Sequence, residues 1–220
     1  MKSAKCSEAY LLRKIDIIFE DDYLIVADKP PGILVIPTPK QEKHTLTHLI
    51  NGILQERGLE VKAHPCHRLD RETSGLIIFA KGKKNQQLMM EQFHSRKVEK
   101  TYMGFAQGIL NKEQGLIRNH IEGKEAVTKY KVLEEKDNFS VVQIQPITGR
   151  TNQIRIHFKQ IGHPLVGERR FAFAKDYSLK FRRAALHAFK LAFNHPVTGA
   201  RINLHSPLAV DMKDFLKKYN

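Results

Sequence analysis

The chain has 220 residues, 41% of them hydrophobic, which is enough for one large domain or for two closely packed halves. Its 37 Lys and Arg residues against 23 Asp and Glu residues give a formal net charge of +14, which favours an anionic partner such as nucleic acid. No apolar run is long enough to cross a bilayer, residues 1–10 lack a signal peptide's apolar core, and the 2 cysteines are too few for a disulfide framework, so we expect a cytoplasmic protein.

In the first half of the chain, apolar periodicity predicts two strands, a helix, a third strand and a weaker second helix. The first two strands form a hairpin around Asp21 and Asp22. A proline-rich loop follows, and then a helix for which Thr45 is the expected cap and Gly58 the stop. These elements are predicted at residues 15–20, 23–28, 46–57, 76–80 and 83–94.

In the second half, three strands precede a helix whose apolar stripe is Ile154, Phe158 and Ile161, and a late hairpin follows. The chain ends on a helix that Ser206 caps and Pro207 opens. These elements are predicted at residues 100–107, 126–133, 139–145, 151–161, 186–193, 200–204 and 207 onward. The irregular mixture of strands and helices predicts an α+β fold with a mostly antiparallel sheet, rather than a doubly wound parallel one.

The most informative segment is the polar block His-Arg-Leu-Asp-Arg-Glu-Thr-Ser-Gly at residues 67–75, just before a predicted buried strand. Asp and Arg are poor strand formers, and Gly often interrupts regular secondary structure. The block therefore predicts a loop anchored by the rigid strand that follows it. Catalytic carboxylates are often carried on such loops. The residues alone nevertheless favour an ordinary surface turn with a charged rim.

This segment resembles the signature of the RluA-type pseudouridine synthases, His-Arg-Leu-Asp-x-x-Thr-Ser-Gly, and every specified position of that pattern is present. The similarity extends over residues 15–207, nearly the whole chain. Its other motifs lie at residues 29–32, 100–102, 149–157, 162–167, 186–188 and 195–199.

The resemblance implies a single α+β catalytic domain at residues 15–220, with a mixed, mostly antiparallel central sheet flanked by helices and loops. Residues 1–14 are then an N-terminal extension, and no S4-type RNA-binding domain is expected. The implied reaction breaks the bond from ribose to N1 of uracil, turns the base and rejoins it through C5. It needs no cofactor or metal, and the sequence has no Cys-x-x-Cys, His-Glu-x-x-His, Walker or dinucleotide motif.

By resemblance, Asp70 is the essential catalytic residue, acting as a nucleophile on the sugar or as a base on a ribose proton. Arg155 is its implied cationic partner, and Tyr102 is implied to line the site. From the residues alone, Arg155 also fits a helix-surface arginine on phosphate, and Tyr102 a core tyrosine of a strand. The residues assigned to substrate or RNA are Lys29, His67, Arg68, Arg71, Thr73, Lys81, Lys100, Arg150, Asn152, Gln153 and Ile154.

Several roles within this set differ. A guanidinium stacks on bases, so Arg68 is expected to fill the gap that the extruded uridine leaves. Arg71 and Lys81 are expected to contact phosphates, which position RNA without specifying its sequence. His67 and Thr73 are expected to hold the loop through local packing and hydrogen bonds. The expected partner is rRNA or tRNA, with a monomeric enzyme and no obligatory protein partner.

Three positions depart from the family pattern. Asn152 stands where His is usual, Glu168 where Asp is common, and Phe171 where Tyr is frequent. None of them replaces Asp70, Tyr102 or Arg155, so we expect them to affect substrate choice more than activity.

Two other functions fit these residues less well. A basic RNA-binding protein that has lost catalysis has no physical need to keep Asp70, Tyr102 and Arg155. A nuclease or glycosidase usually needs two cooperating carboxylates or a metal. The spacing of His64, Cys66 and His67 matches no standard metal site, and Cys66 is expected to be a small buried core residue.

Overall fold

A computed structural model describes residues 15–42, 44–172 and 179–219. The predicted N-terminal extension, residues 1–14, lies outside them. The helices within the described ranges are α1 Leu46–Glu56, α2 Lys83–His94, α3 Gln153–Gln160 and α4 Val210–Lys218. The strands there are β1 Asp16–Glu20, β2 Leu24–Lys29, β3 Ala63–Pro65, β4 Ser74–Lys81, β5 Glu99–Gln107, β6 Gln114–Ile121, β7 Lys124–Lys136, β8 Phe139–Pro146, β9 Leu186–Asn194 and β10 Arg201–His205.

The described residues fall into two compact units. The first unit takes in the residues up to Val98 together with Leu191–Ser206. The second unit takes in Glu99–Lys190 and the residues from Pro207 onward. Strand β9 therefore contributes its first residues to the second unit and its last residues to the first.

In the first unit, β2 pairs antiparallel with both β1 and β4, and β3 also pairs antiparallel with β4. Every residue of β4 is buried, as its continuous apolar run predicts. Helix α2 reaches the core of this unit through Met89, which packs in a cluster with Leu24, Val26 and Ile78. The buried strand β4 thus gives the polar loop before it a rigid base.

In the second unit, four strands form an antiparallel sheet in the order β5-β8-β7-β6. Phe105 of β5 and Phe139 of β8 pack against Phe215 of α4, with ring centroids 5.7 and 5.3 Å from the Phe215 ring. These pairings confirm the α+β class with mostly antiparallel strands. No helix among the described residues is long and apolar enough to cross a membrane.

Local signals predicted most of the elements well. The first hairpin is present, and α2 begins and ends at the predicted residues. Helix α1 lies between its predicted cap and stop, and the Thr45 hydroxyl accepts a hydrogen bond from the backbone N–H of His48 at 3.3 Å.

Several predictions about elements were incomplete or wrong, and the short strand β3 was not predicted. Strand β6 was missed because most of its side chains are polar or exposed, so it lacks an apolar alternation. Helix α4 begins at Val210, after the N-cap Ala209, and not at Pro207. Ser206 is fully buried and its hydroxyl bonds the carboxylate of Asp28, so it is not the helix cap.

Candidate active site

Asp70 lies on a tight turn in the first unit, just ahead of β4. The backbone carbonyl of Asp70 accepts a hydrogen bond from the N–H of Thr73 at 3.1 Å. The next carbonyl, of Arg71, accepts one from the N–H of Gly32 at 2.8 Å, which ties the turn to the loop after β2. The Asp70 side chain is half-buried, while Thr73 and Ser74 on the same turn are buried. The carboxylate therefore sits on a backbone that is fixed on both sides.

Lys29 supports this turn from inside and is not available to RNA. Its side chain is fully buried, and its ammonium donates to the carbonyls of Pro30, Ile33 and Arg71 at 3.0, 2.9 and 3.2 Å. A buried ammonium needs such acceptors to offset its lost hydration. The assignment of Lys29 to RNA is corrected accordingly, because the side chain has no surface to present.

The two arginines beside Asp70 are exposed, as RNA contacts require. Arg68 is exposed, and the guanidinium of Arg71 donates to the Glu42 carboxylate at 3.2 Å on the surface. His67 behaves as predicted for a loop anchor. Its Nε2 accepts a hydrogen bond from the backbone N–H of Ile78 at 3.1 Å, and its ring lies 4.9 Å from that of Phe93.

Lys81 has a different role from the one predicted. It is buried at the end of β4, where its ammonium bonds the Glu20 carboxylate at 2.9 Å and the backbone carbonyl of Asp21 at 2.6 Å. Those bonds link β4 to the β1–β2 turn. The phosphate contact predicted for Lys81 is therefore replaced by a structural one, because its charge is compensated inside the first unit.

In the second unit, the Lys100–Tyr102 motif and the glycine-arginine loop come together. Tyr102 is buried on β5 opposite Ile144 of β8. Burial lowers the pKa of Lys100. The ammonium of Lys100 lies 3.8 Å from where a side chain would begin on Gly149, so the two motifs are neighbours.

Gln153 locks the start of α3 onto β7. Its amide oxygen accepts from the Thr148 hydroxyl at 2.6 Å and from the Arg150 backbone N–H at 3.0 Å. Its amide nitrogen donates to the Val127 carbonyl and the Thr128 hydroxyl at 3.0 and 2.9 Å. The side chain is buried and these bonds satisfy it, so its predicted contact with RNA is corrected to a structural role.

Other residues of this loop and helix differ in exposure. Ile154 is buried, and Arg150 is exposed with its Nε donating to the Glu125 carbonyl at 3.2 Å. Asn152 immediately precedes α3 with φ of +54°, in the left-handed region that Asn tolerates better than most residues. This geometry explains why the helix starts later than its apolar pattern predicted.

Arg155 is buried on α3 and forms a two-pronged ion pair with Glu168. Its Nε and Nη2 donate to the two carboxylate oxygens of Glu168 at 2.6 and 2.7 Å. Burial by itself would raise the pKa of Glu168, but the bonds and charge of Arg155, with the backbone N–H groups of Arg170 and Phe171, hold that pKa below its usual value. The predicted pairing of Arg155 with Asp70 stays a prediction.

Comparison with known proteins agrees with these motifs. A family model for RNA pseudouridylate synthase matches residues 23–160, more than half of the chain. The chain is also 34% identical over 198 residues to the dual-specificity RNA pseudouridine synthase RluA of Vibrio cholerae, covering 83% of this chain and 78% of that protein. The chain belongs to the RluA-type family of RNA pseudouridine synthases. It is accordingly an isomerase that modifies RNA.

Further relatives agree with this membership. The pseudouridine synthase is 32% identical to ribosomal large subunit pseudouridine synthase D of Haemophilus influenzae, with 92% of this chain and 70% of that protein aligned. The solved structure of human RNA pseudouridylate synthase domain containing 4 is 22% identical, with a TM-score of 0.81 over 98% of this chain and 97% of that one. That structural likeness shows the shared fold.

Sequence reasoning about this pseudouridine synthase did not find the partner of Arg155. The sequence predicts an effect of Glu168 on substrate choice, but not its ion pair with Arg155. The run Pro164-Leu165-Val166 just before Glu168 is a usable signal, because it predicts a buried segment in which a carboxylate needs a cationic partner. Among the described residues, no group of three or more His, Cys, Asp or Glu side chains is placed to hold a metal ion.

Proposed function

We propose that this chain isomerises specific uridines in structured rRNA or tRNA, with Asp70 as the essential catalytic residue. The observation that carries the proposal is the Asp70 turn itself. Its half-buried carboxylate stands on a backbone fixed by two hydrogen bonds, from the Thr73 N–H to the Asp70 carbonyl and from the Gly32 N–H to the Arg71 carbonyl. Arg68 and Arg71 are exposed on either side of it. A fixed carboxylate beside cationic groups suits a reaction at the sugar of an anionic polymer.

The proposed order of events starts with binding. Exposed arginines contact the phosphates, and Arg68 stacks into the gap when the target uridine leaves the helix, which costs a few kcal/mol. Asp70 then acts on the ribose as nucleophile or base. The bond from C1′ to N1 breaks, a bond from C1′ to C5 forms, the C5 proton is released and N1 takes up a proton, so atoms and charge balance without a cofactor.

Tyr102 and Arg155 complete the proposed site. A buried tyrosine ring offers a flat surface for the uracil, and its phenol can relay a proton. Arg155 is proposed to keep Asp70 ionised when water is excluded. Lys100, Arg150 and Asn152 are proposed to contact RNA near the start of α3. We further propose that the enzyme works as a cytoplasmic monomer.

The target class is suggested by the relatives. One is named for dual specificity and another for the large ribosomal subunit. The proposed substrates, rRNA and tRNA, are therefore tested together, as total RNA from cells that lack this protein.

The first experiment measures tritium release from RNA labelled at C5 of uridine. Wild type is expected to release tritium, and Asp70→Asn to release none while binding RNA about as tightly. Glu72→Gln, which neutralises a neighbouring carboxylate on the same loop, is the matched control and is expected to retain release.

Release by Asp70→Asn at the wild-type rate would overturn the role of Asp70. No release by wild type, despite tight RNA binding, would favour a basic RNA-binding protein of the same fold that has lost catalysis.

A further inference from the structure

Three side chains of the second unit enclose the guanidinium of Arg155. Glu168 takes its Nε and Nη2 hydrogens at 2.6 and 2.7 Å, and the amide oxygen of Asn152 takes one from Nη1 at 3.2 Å. The ring of Phe171 lies against the guanidinium, with its centroid 5.3 Å from the central carbon. We call Asn152, Glu168 and Phe171 the Arg155 cage.

We propose that the Arg155 cage positions this guanidinium for uridine isomerisation, so that Asn152 and Glu168 are positioning residues of the reaction. This inference rests on the proposed function, because it gives the cage a role only if Arg155 acts in the site. It also assigns a joint role to the three positions that depart from the family pattern.

The geometry restrains the plane, the direction and one face of the guanidinium. An arginine presents five N–H groups in one plane, and a two-pronged carboxylate fixes that plane as well as its direction. The bond to Asn152 fixes the opposite end of the fork. The Phe171 ring restrains one face, so the orientation of Arg155 is set before any substrate binds.

The cage residues are themselves held. One oxygen of Glu168 also accepts hydrogen bonds from the backbone N–H groups of Arg170 and Phe171 at 2.8 and 3.3 Å. Asn152 sits in its left-handed conformation at the start of α3, and its side chain makes no capping bond with the helix. That side chain is turned toward Arg155 instead of the helix end, where an Asn would usually bond.

A merely structural role would be the simplest alternative, and the second unit contains a control for it. Arg183 forms the same kind of two-pronged pair with Asp211, at 2.7 and 2.8 Å. Arg183 is also buried and bonds the carbonyls of Ala184 and Leu186. Breaking this second pair removes a two-pronged ion pair from the same unit while leaving the hydrogen bonds of Arg155 in place, although the Asp211 side chain is 39% exposed and that of Glu168 is fully buried.

The test compares Glu168→Gln with Asp211→Asn in the tritium-release assay, with thermal unfolding measured for both. Glu168→Gln is expected to lower kcat by about 10²-fold, the scale of a 1 Å misplacement, with KM for RNA within about twofold. Asp211→Asn is expected to lower the melting temperature without lowering kcat by more than about twofold. Glu168→Asp keeps the charge and is expected to lose less than about tenfold.

A double-mutant cycle of Asn152→Ala and Glu168→Gln tests whether both residues act through the guanidinium of Arg155. Because both hold Arg155, the double variant is expected to lose little more kcat than Glu168→Gln alone, whereas independent effects would multiply. If Glu168→Gln does not fold, Asn152→Ala alone must still lower kcat, whatever change in KM its proposed RNA contact brings.

Suppose that wild type is active and Asp70→Asn inactive, as the proposed function requires. A wild-type kcat in Glu168→Gln or in Asn152→Ala would then overturn the role of the Arg155 cage but not the proposed function. Equal kcat losses in Glu168→Gln and Asp211→Asn would likewise reduce the pair to a structural one. An inactive wild type would instead refute the proposed function itself.

Discussion

At the scale of single residues, a cationic side chain is buried where protein oxygens accept its hydrogen bonds. Lys29, Lys81 and Arg155 lie among residues that the sequence pattern had assigned to the site, yet each is buried and bonded to protein oxygens. Arg68 and Arg71, by contrast, are exposed. A buried charge without partners is costly, so burial and compensation occur together. Positive charge in these motifs therefore divides into exposed groups and buried groups that protein oxygens already compensate.

The Arg155–Glu168 pair makes a prediction for stability against pH. The folded-state pKa of Glu168 is below its ordinary value of 4.5, so the unfolded chain takes up the proton first as pH falls. The pair's contribution is therefore complete above pH 4.5 and is lost as pH falls through the lowered folded value. At pH 7, wild type is expected to exceed Glu168→Gln in free energy of unfolding by about 3 kcal/mol.

Urea unfolding of both proteins from pH 7 down to the acid limit of folding measures this difference. The difference is expected to shrink steadily below pH 4.5. Glu113→Gln, at an exposed carboxylate, is the control and should stay within about 0.5 kcal/mol of wild type throughout. A Glu168→Gln difference that stays constant with pH would contradict the electrostatic origin of the effect.

At the scale of elements, the turn at Gly167 packs the backbone next to Glu168 against the backbone of Arg183. Gly167 has φ of +77°, and a side chain there would begin 2.1 Å from the carbonyl oxygen of Arg183. The two backbones can approach this closely because glycine has no Cβ. The same turn places Glu168 beside Arg155, so a single glycine supports both ion pairs.

Gly167→Ala is expected to lower the free energy of unfolding by about 3 kcal/mol or more, because backbone strain and a backbone clash act together. Gly162→Ala is the matched control from the same motif. Gly162 also has a positive φ, of +83°, but has no atom within 4 Å of the added carbon. It should lose about 1–2 kcal/mol, from strain alone. Equal losses in chemical denaturation would mean that the close approach to Arg183 is not the cause.

At the scale of the whole molecule, the net charge of +14 governs encounter with RNA. The exposed arginines beside Asp70 are proposed to contact RNA phosphates, whereas Lys29 and Lys81 are buried and already bonded to protein oxygens. Binding through phosphates releases counterions, so affinity depends strongly on salt.

Binding of Asp70→Asn to target RNA, measured so that no turnover intervenes, is expected to weaken by about 10³-fold between 50 and 200 mM salt, for roughly six phosphate contacts. Adding Arg71→Ala should reduce the slope of log affinity against log salt by about 0.7–1. Arg57→Ala removes another exposed arginine, one that pairs with Glu20, and should leave the slope unchanged. Equal slopes for the Arg71 and Arg57 variants would remove Arg71 from the RNA contacts.

Much of this molecule follows from local sequence signals. Apolar periodicity predicted the first hairpin, both early helices and the buried strand β4, because these patterns depend on neighbours within a few residues. The Asp70 motif identified the family for the same reason, since its residues are contiguous. Strand β6 was not predicted because most of its side chains are exposed or half-buried. The start of α4 was predicted too early because Ser206 bonds the distant Asp28 instead of capping the helix.

What the sequence by itself determined is therefore the family, the order of most elements and the residue expected to do the chemistry. The tertiary structure alone decided which polar groups of those motifs are structural. Lys29 and Gln153 are buried by segments far along the chain, and Arg155 finds Glu168 across the turn at Gly167. Burial and partnership depend on such long-range contacts, which no local pattern encodes, and they separate a group that can meet RNA from one that supports the site.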